Sequence, residues 1–334
     1  MSTTSYEFDS AASLLRCCET LGSSIAEVTL RREHAASSVP EAELLERMRA
    51  HYLVMRESIR QGLALRQRST SGLSGGDAAR LFEYASSGRA LLGPDLARTA
   101  AYGFAVLEHN AQFGRIVATP TAGSAGIVPA CLLTLEETRG LTPEQAARGL
   151  FTAAGVGIVI GAQAPFSGAK GGCQAEVGSA SAMAAAAIVE CEGGTPAQAL
   201  DAAAFALMNT LGMVCDPIGG FVEVPCVSRN GMFAVHSFLA ATMALAGTRC
   251  VVPFDDVVIA MRDIGRRMPR ALKETSEGGL AQTPTGLRFP PRPITFQKTA
   301  TPSSPSPSSP PPSSTRPVTP PAVPTIPPSS SPEA

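Results

Sequence analysis

Two glycine-rich segments decide how this chain folds and what it holds: Ser167-Gly-Ala-Lys-Gly-Gly-Cys173-Gln-Ala-Glu-Val-Gly178 and Cys215-Asp-Pro-Ile-Gly-Gly-Phe-Val-Glu-Val-Pro-Cys226. A long alanine-rich segment separates them, so folding can bring the first cysteine to the other two. In glycine-rich loops, successive backbone N–H groups can point at one anion, as they do around phosphates and iron-sulfur clusters. The pattern therefore indicates a three-thiolate metal or cluster site.

The alternative is that these cysteines are small buried hydrophobes, the usual role of free cysteine. Spacing alone does not decide between the two readings, because the segments contain no Cys-x-x-Cys pair, no nearby histidine and no ferredoxin run. Three ligands on a four-iron cluster would leave one iron open, and an open position is typical of a catalytic metal centre. The other cysteines are interpreted as packing residues: Cys17, Cys18, Cys131, Cys191 and Cys250.

Composition excludes several classes of protein. The formal net charge of -1 lacks the basic excess of a nucleic-acid-binding surface, and no Gly-Lys-Ser/Thr sequence marks a P-loop. Eight cysteines in 334 residues are too few for a disulfide scaffold, which favours a reducing, cytoplasmic setting. The first residues lack the basic and apolar regions of a secretory signal. The most apolar segments, 151–166 and 234–254, are interrupted by polar residues and predict buried core helices, not membrane spans.

Helical periodicity runs through most of the chain. Apolar residues recur at steps of three and four over 9–31 and 40–63, with a break at Gly22. Thr142 and Thr195 each precede a proline and stand three residues before a glutamine, which is the signature of a capped helix start. Strand signals are scarce, so the sequence predicts an all-α fold.

The last two predicted helices follow the second cysteine segment. Asn230-Gly231 is expected to end that segment as a turn, with a helix over 234–246. Asp255 or Asp256 is the expected cap of a final helix that runs to Met268.

Residues 119–126, Thr-Pro-Thr-Ala-Gly-Ser-Ala-Gly, form a segment of small hydroxyl and glycine residues ahead of an apolar helix. Such a segment can present N–H groups and hydroxyls to an anion at a helix N-terminus. The alternative is an ordinary capped helix start.

The composition changes abruptly near residue 287. Sixteen of the 28 prolines lie at or after Pro290, interleaved with serine and threonine. Such a segment cannot bury enough apolar surface to offset its chain entropy. The sequence therefore predicts a helical domain over 1–288 and a disordered, extended tail over 289–334.

The ordered motifs resemble those of the alpha chain of iron-sulfur-dependent L-serine dehydratases, lyases that do not use pyridoxal phosphate. The resemblance runs from about Ser10 to Gly286 and implies a helical catalytic domain. The motifs that carry it are Ser71-Gly-Leu-Ser-Gly-Gly-Asp77, Thr119-Pro-Thr-Ala-Gly-Ser-Ala-Gly126, Gly168-Ala-Lys-Gly-Gly-Cys-Gln-Ala-Glu176, Cys215-Asp-Pro-Ile-Gly-Gly220, Pro225-Cys226 with Arg229-Asn-Gly231, and Leu272-Lys-Glu-Thr275 with Gly278-Gly-Leu-Ala-Gln-Thr-Pro-Thr-Gly286.

The resemblance implies that Cys173, Cys215 and Cys226 hold a [4Fe-4S] cluster. The open iron would act as a Lewis acid on the hydroxyl of L-serine, and the products would be pyruvate and ammonia. It also implies a cytoplasmic enzyme of amino-acid degradation and gluconeogenesis. A beta portion belongs to this family and nothing in this chain resembles it, so we expect a beta-chain partner and a hetero-oligomer, without nucleic acid or membrane.

The remaining site residues are assigned by chemistry. Lys170, the only lysine before Lys273, is the candidate base or carboxylate holder, and the alternative is a surface charge. Thr121 and Ser124, with the N–H groups around Gly123, are the candidates for binding the substrate carboxylate. Two competing functions stay open: a related lyase acting on another small amino acid, such as an L-cysteine desulfidase, and a non-catalytic metal-stabilised interaction subunit.

Overall fold

Helices and helical turns make up the regular structure of residues 6–289, the part of the chain that the computed structural model describes. These residues contain no β-strand, and the one extended pairing is a single bridge between Cys215 and Lys273. The all-α prediction is confirmed, while the predicted tail lies outside the described residues apart from Phe289. The helices are α1 (Ala11–Leu21), α2 (Ile25–Ser37), α3 (Glu41–Ala64), α4 (Asp77–Ala85), α5 (Gly93–Ala111), α6 (Ile127–Arg139), α7 (Pro143–Gln163), α8 (Gly168–Gly171), α9 (Ser179–Cys191), α10 (Pro196–Met208), α11 (Cys226–Leu245) and α12 (Phe254–Arg267).

The predicted helix ends at α1, α7 and α10 are confirmed. Thr142 accepts a hydrogen bond from the Gln145 amide at 3.2 Å, and the Gln145 side chain accepts from the Thr142 amide at 2.8 Å. Thr195 and Gln198 form the same reciprocal box. Gly22 ends α1 with φ 56°, a left-handed conformation that glycine adopts without steric cost. An N-cap of this type typically stabilises a helix by about 1 kcal/mol.

The predicted start of α11 is wrong. The helix begins at Cys226, so Asn230 and Gly231 lie inside it and do not form a turn. A Cβ added at Gly231 would lie 2.5 Å from the Phe104 ring of α5, so the missing side chain serves helix packing. Tertiary contact has overridden the local turn preference of the Asn-Gly pair.

The predicted cap of α12 is also wrong. Pro253 occupies the N-cap position, and Asp255 lies in the first turn. The Asp255 carboxylate accepts hydrogen bonds from the backbone amides of Ala11 at 2.7 Å and Ala12 at 3.0 Å. It therefore caps the N-terminus of α1, a helix from the other end of the chain.

The core is built around α9, whose residues from Ser179 to Val189 are buried. Its alanines let α7, α10 and α11 pack closely against it. By length and composition α7 could cross a membrane, but 67% of its most apolar window is buried inside the protein. This agrees with the prediction that 151–166 belongs to the core.

Helices α5 and α11 and the start of α6 meet backbone to backbone. A Cβ added at Gly103 of α5 would lie 2.7 Å from the Asn230 carbonyl carbon, and one at Gly126 would lie 2.5 Å from the Gly103 carbonyl oxygen. Real Cβ contacts do not reach these distances, so only glycine fits at both positions. The crossing brings the 119–126 segment against the helix that begins with Cys226.

Replacing Gly103 by alanine should lower the free energy of unfolding by about 1–3 kcal/mol, because the α11 backbone must move to accommodate the methyl group. The matched control is Gly157→Ala in α7, where the new Cβ would meet only the flexible end of Met183 at 3.4 Å. That change should be neutral or raise stability by about 0.5–1 kcal/mol. Urea unfolding of both variants tests whether α5 and α11 pack too closely for a side chain at Gly103. Equal free energies of unfolding for the two variants would contradict this close packing.

Candidate metal centre

Two of the three predicted ligands lie side by side with a carboxylate. Cys173 Sγ, Cys215 Sγ and an oxygen of Glu176 all lie within 4.8 Å of one another, and the three side chains are buried. Cys173 lies between α8 and the π-helical turn Gln174–Gly178, on which Glu176 stands. Cys215 precedes the 3₁₀ turn Ile218–Gly220. Glycine-rich backbone thus holds both thiols, as the sequence predicts.

Cys226, the third predicted ligand, is the first residue of α11 and is 6% exposed. It does not belong to the 4.8 Å group formed by Cys173, Glu176 and Cys215. Burial raises the pKa of the Cys226 thiol, and negative charge at Cys173 and Glu176 raises it further. The Asn230 side chain also donates to the carbonyls of both Cys226 and Gly123, and Gly123 lies against Glu176.

The Cys173 and Cys215 thiols lie within 4.8 Å of each other. The neighbouring Cys215 thiol, together with the positive charge of Arg229, lowers the pKa of Cys173 despite its burial. The Cys173 thiol and burial raise the pKa of Cys215. The pair is therefore arranged to carry one negative charge, and a metal that binds thiolates would release the remaining proton.

Arg229 supplies positive charge to this site. Its guanidinium donates to the Val214 carbonyl at 3.0 Å and lies 3.4 Å from an oxygen of Asp216, and its charge lowers the pKa of Cys173. Asp216 in turn accepts a hydrogen bond from the Leu280 amide at 2.8 Å. A half-buried cation held by fixed partners favours the anionic form of neighbouring thiols.

Glu176 is held by a hydroxyl and by two glycines. Thr121 donates a 2.7 Å hydrogen bond to Oε1, and Cys215 Sγ lies 3.8 Å from Oε2. A Cβ at Gly123 would come within 3.2 Å of Oε1, and one at Gly168 within 2.6 Å of Oε2. Burial raises the pKa of Glu176, while the Thr121 hydrogen bond partly opposes that shift.

The predicted carboxylate-binding residues lie in the hydroxyl loop, residues 119–126, beside this group. Ser124 is fully buried, and its hydroxyl donates to the Thr119 carbonyl at 3.1 Å and lies 3.2 Å from the Thr121 hydroxyl. The hydroxyl of Thr119 is buried without a hydrogen-bond partner among the described residues. Thr121 and Gly123 contact Glu176, which in turn lies beside the Cys173 and Cys215 thiols.

The Asn230 amide connects the hydroxyl loop to α11, the cysteine helix, which begins at Cys226. Its Nδ2 donates to the Gly123 carbonyl at 2.7 Å and to the Cys226 carbonyl at 2.9 Å. Its Oδ1 accepts from the Gly126 amide at 2.8 Å. Because the side chain is fully buried, every one of these bonds forms away from water.

The C-terminal strap, residues 270–286, fixes the backbone of Cys215. The Cys215 amide donates to the Leu272 carbonyl at 2.9 Å, and the Glu274 amide donates to the Cys215 carbonyl at 2.7 Å. The Ser276 hydroxyl adds a 2.7 Å bond to the Pro217 carbonyl. The strap therefore lies directly over one of the predicted ligands.

Lys170 lies elsewhere. Its side chain is exposed and lines a surface cavity of about 500 Å³ together with Arg262 and Arg266. Among residues 6–289 we find no hydrogen bond or ion pair to its ammonium group. The structure thus places this predicted residue in a cationic cavity and does not bring it into contact with the three thiols.

Glu176 and Arg229 stand at the site although the sequence motifs did not predict them there. Glu176 was within reach of sequence reasoning, because it lies three residues after Cys173 in a helical segment, which puts both side chains on one face. Arg229 follows Cys226 by three residues in the same way. The expected turn at Asn230-Gly231 hid that second relation.

The donor set fits an iron-sulfur cluster. Three buried thiols in glycine-rich backbone, with the Arg229 cation nearby, supply the soft ligands that such clusters require. A magnesium or calcium site would instead present mostly oxygen ligands.

Comparisons with known proteins identify a family and several similar chains. A family described as "Serine dehydratase alpha chain" matches residues 20–281. A Bacillus subtilis protein, "Probable L-serine dehydratase, alpha chain", is 49% identical over 262 residues, which are 78% of this chain and 87% of that one. The "L-serine dehydratase, alpha chain" of Peptoniphilus asaccharolyticus is 44% identical over 281 residues, 84% of this chain and 96% of its own. The "L-serine dehydratase" of Streptomyces coelicolor is 37% identical over 282 residues, 83% of this chain but 61% of its own.

Replacing Asn230 by alanine should lower the free energy of unfolding by about 2 kcal/mol or more, since it leaves the Gly126 N–H and the Gly123 carbonyl unsatisfied and each costs about 1–3 kcal/mol. Asn209→Ala is the control, because Asn209 is exposed and donates one bond to the Phe205 carbonyl. It should change stability by no more than about 0.5 kcal/mol. Urea unfolding of the metal-free proteins measures both, and matching values would show that the amide is dispensable.

Proposed function

Because this chain belongs to the serine dehydratase alpha chain family, we propose that it is the alpha subunit of an iron-sulfur-dependent L-serine ammonia-lyase. The reaction converts L-serine to pyruvate and ammonia. The observation that carries the proposal is the buried group of Cys173, Cys215 and Glu176, with the positive charge of Arg229 lowering the pKa of the first thiol. A lyase of this kind needs a Lewis acid at a protected site, and this group offers thiolate ligands for one.

The residues that would hold the cofactor, a [4Fe-4S] cluster, are Cys173, Cys215 and Cys226. When bound, the cluster would supply an iron with an open position that polarises the substrate hydroxyl and makes hydroxide a better leaving group. Arg229 would balance the negative charge of the thiolates. This chemistry would require no change in the oxidation state of the cluster.

The hydroxyl loop would hold the carboxylate of L-serine. The Thr121 hydroxyl and the N–H groups around Gly123 lie next to Glu176 and therefore next to the thiols. Ser124 would act from behind the loop, because its hydroxyl is bonded to the Thr119 carbonyl. Hydrogen bonds to a charged carboxylate are worth about 1.5–3 kcal/mol, enough to orient a small substrate.

Removal of the substrate Cα proton requires a base. Lys170 is our candidate, and its assignment rests on its rarity in the chain and its position three residues from Cys173. Its exposed place beside Arg262 and Arg266 also allows a second role, attraction of the anionic substrate carboxylate. Kinetics can separate these two roles.

A second polypeptide would complete the enzyme. The relatives from Bacillus and Peptoniphilus are named as alpha chains, and this chain spans only 61% of the Streptomyces protein. We therefore propose a beta-chain partner in a hetero-oligomer, acting in the cytoplasm on L-serine.

Anaerobic reconstitution should load about four iron and four acid-labile sulfide atoms per chain. Cys215→Ser should lose most of this iron, while Cys250→Ser, a change of a half-buried cysteine outside the site, should retain it. Pyruvate formation from L-serine with the beta chain, compared with sulfide release from L-cysteine, then identifies the substrate. Zinc alone, or a folded protein that binds no metal, would refute the proposed lyase.

Kinetic constants of the two-chain enzyme should divide the site residues by role. Lys170→Arg keeps the charge but cannot act as a base, so kcat should fall by about 100-fold or more if Lys170 removes the proton. Ser124→Ala should raise KM for L-serine roughly 10-fold with little change in kcat. Normal turnover in Lys170→Arg would remove Lys170 from the chemistry, and an unaltered KM in Ser124→Ala would remove that residue from carboxylate binding.

A further inference from the structure

The Ser71-Gly-Leu-Ser-Gly-Gly-Asp77 motif plays no part in the site described above. In the structure, residues 69–76 form the serine loop, a closed turn between α3 and α4. The Ser69 amide donates to the Ser74 carbonyl and the Gly72 amide to the Ser69 carbonyl, both at 2.9 Å. Gly75 has φ 120°, and a Cβ there would lie 2.2 Å from the Gln67 carbonyl oxygen. The loop therefore has a defined shape that its glycines make possible.

Glu223 links the serine loop to the cysteines. It stands between Cys215 and Cys226, and it is 4% exposed. One oxygen of its carboxylate accepts hydrogen bonds from both hydroxyls, that of Ser69 at 2.6 Å and that of Ser74. Two donors on one buried oxygen form a charge-assisted staple between segments that lie about 150 residues apart in the chain.

The same residue touches the start of the cysteine helix. The Glu223 carbonyl accepts from the Val227 amide at 2.8 Å, which is a hydrogen bond of the first turn of α11. Cys226 lies inside that turn. A movement of Glu223 would therefore move the backbone that carries Cys226.

The serine loop is itself anchored to the core. Glu108, a fully buried residue of α5, accepts hydrogen bonds from the amides of Gly76 and Asp77, both at 2.9 Å. Helix α5 also packs directly against the backbone of α11 at Gly103. Glu223 is thus held against a rigid support.

The three cysteines differ in what holds them. The strap bonds both the amide and the carbonyl of Cys215, whereas Cys226 is held through its own helix, Asn230 and the Glu223 staple. Metal ligands need support to about 0.5 Å from residues that do not touch the metal. We propose that Glu223, fixed by Ser69 and Ser74, is a positioning residue for Cys226 as a cluster ligand, an inference that rests on the proposed function.

The test measures retention of iron by the reconstituted full-length chain, without an activity assay. Ser69→Ala/Ser74→Ala leaves the Glu223 carboxylate without hydroxyl donors and should speed iron release to a chelator by about 10-fold or more, the usual effect of losing such support. Glu223→Gln keeps an accepting oxygen and should release iron within about 3-fold of the unmodified protein.

The matched control is Thr152→Ala. The Thr152 hydroxyl donates to Glu190 at 2.8 Å, and Glu190 caps α2 through the amides of Ile25 and Ala26. This variant also removes a hydroxyl from a carboxylate, so it should lower the melting temperature of the metal-free protein without changing iron release.

The iron-release rates of these variants test the positioning role of Glu223. Faster iron release in the double serine variant but not in Thr152→Ala supports the positioning role. Iron release at the unmodified rate, with only a lower melting temperature, overturns it and leaves the staple purely structural. If the double variant does not fold, Ser69→Ala alone is measured against the same standards. An unmodified protein that holds no iron instead refutes the proposed function, which separates the two failures.

Discussion

The buried amide of Asn230 is the constraint on which the site depends. Its three hydrogen bonds join the hydroxyl loop to the first turn of α11, so the proposed substrate side and the proposed cluster side share one backbone framework. This geometry exists only because Gly103 and Gly126 let the backbones touch. Helix packing, not loop conformation, therefore fixes the distance between the two halves.

Charge around the thiols is balanced locally. Arg229 pairs with Asp216 and lowers the pKa of Cys173, while Glu176 accepts a hydrogen bond from the neutral Thr121 hydroxyl. Removing one member of such a buried set leaves an unpaired charge or polar group, which costs more than the pair contributes. Asp216 is consequently held by Arg229, and Glu176 is held beside the Cys215 thiol.

The features that the sequence predicts correctly are those that depend on interactions between residues near one another in the chain. The caps at Thr142 and Thr195, the break at Gly22 and the all-helical class follow from interactions within a few residues, and all are confirmed. Prediction fails where partners are distant. The local pattern predicts a turn at Asn230-Gly231, which instead serves a helix crossing. It predicts Asp255 or Asp256 as the cap of the last helix, whereas Asp255 caps α1. The role of Glu176 becomes visible only when Thr121 and Cys215 are placed beside it, since no local pattern records such contacts.

The strap has a consequence for how the protein is made. Ribosomes release a chain from its N-terminus onward, and early segments fold as they emerge. Cys173 and Cys226 leave before residues 272–280, yet the Cys215 backbone and Asp216 are bonded to Leu272, Glu274 and Leu280. A nascent chain that ends before this segment has no fixed position for Cys215. The backbone of Cys215 therefore cannot take its final position until residues 272–280 have left the ribosome, and the growing polypeptide must keep its earlier thiols reduced until then.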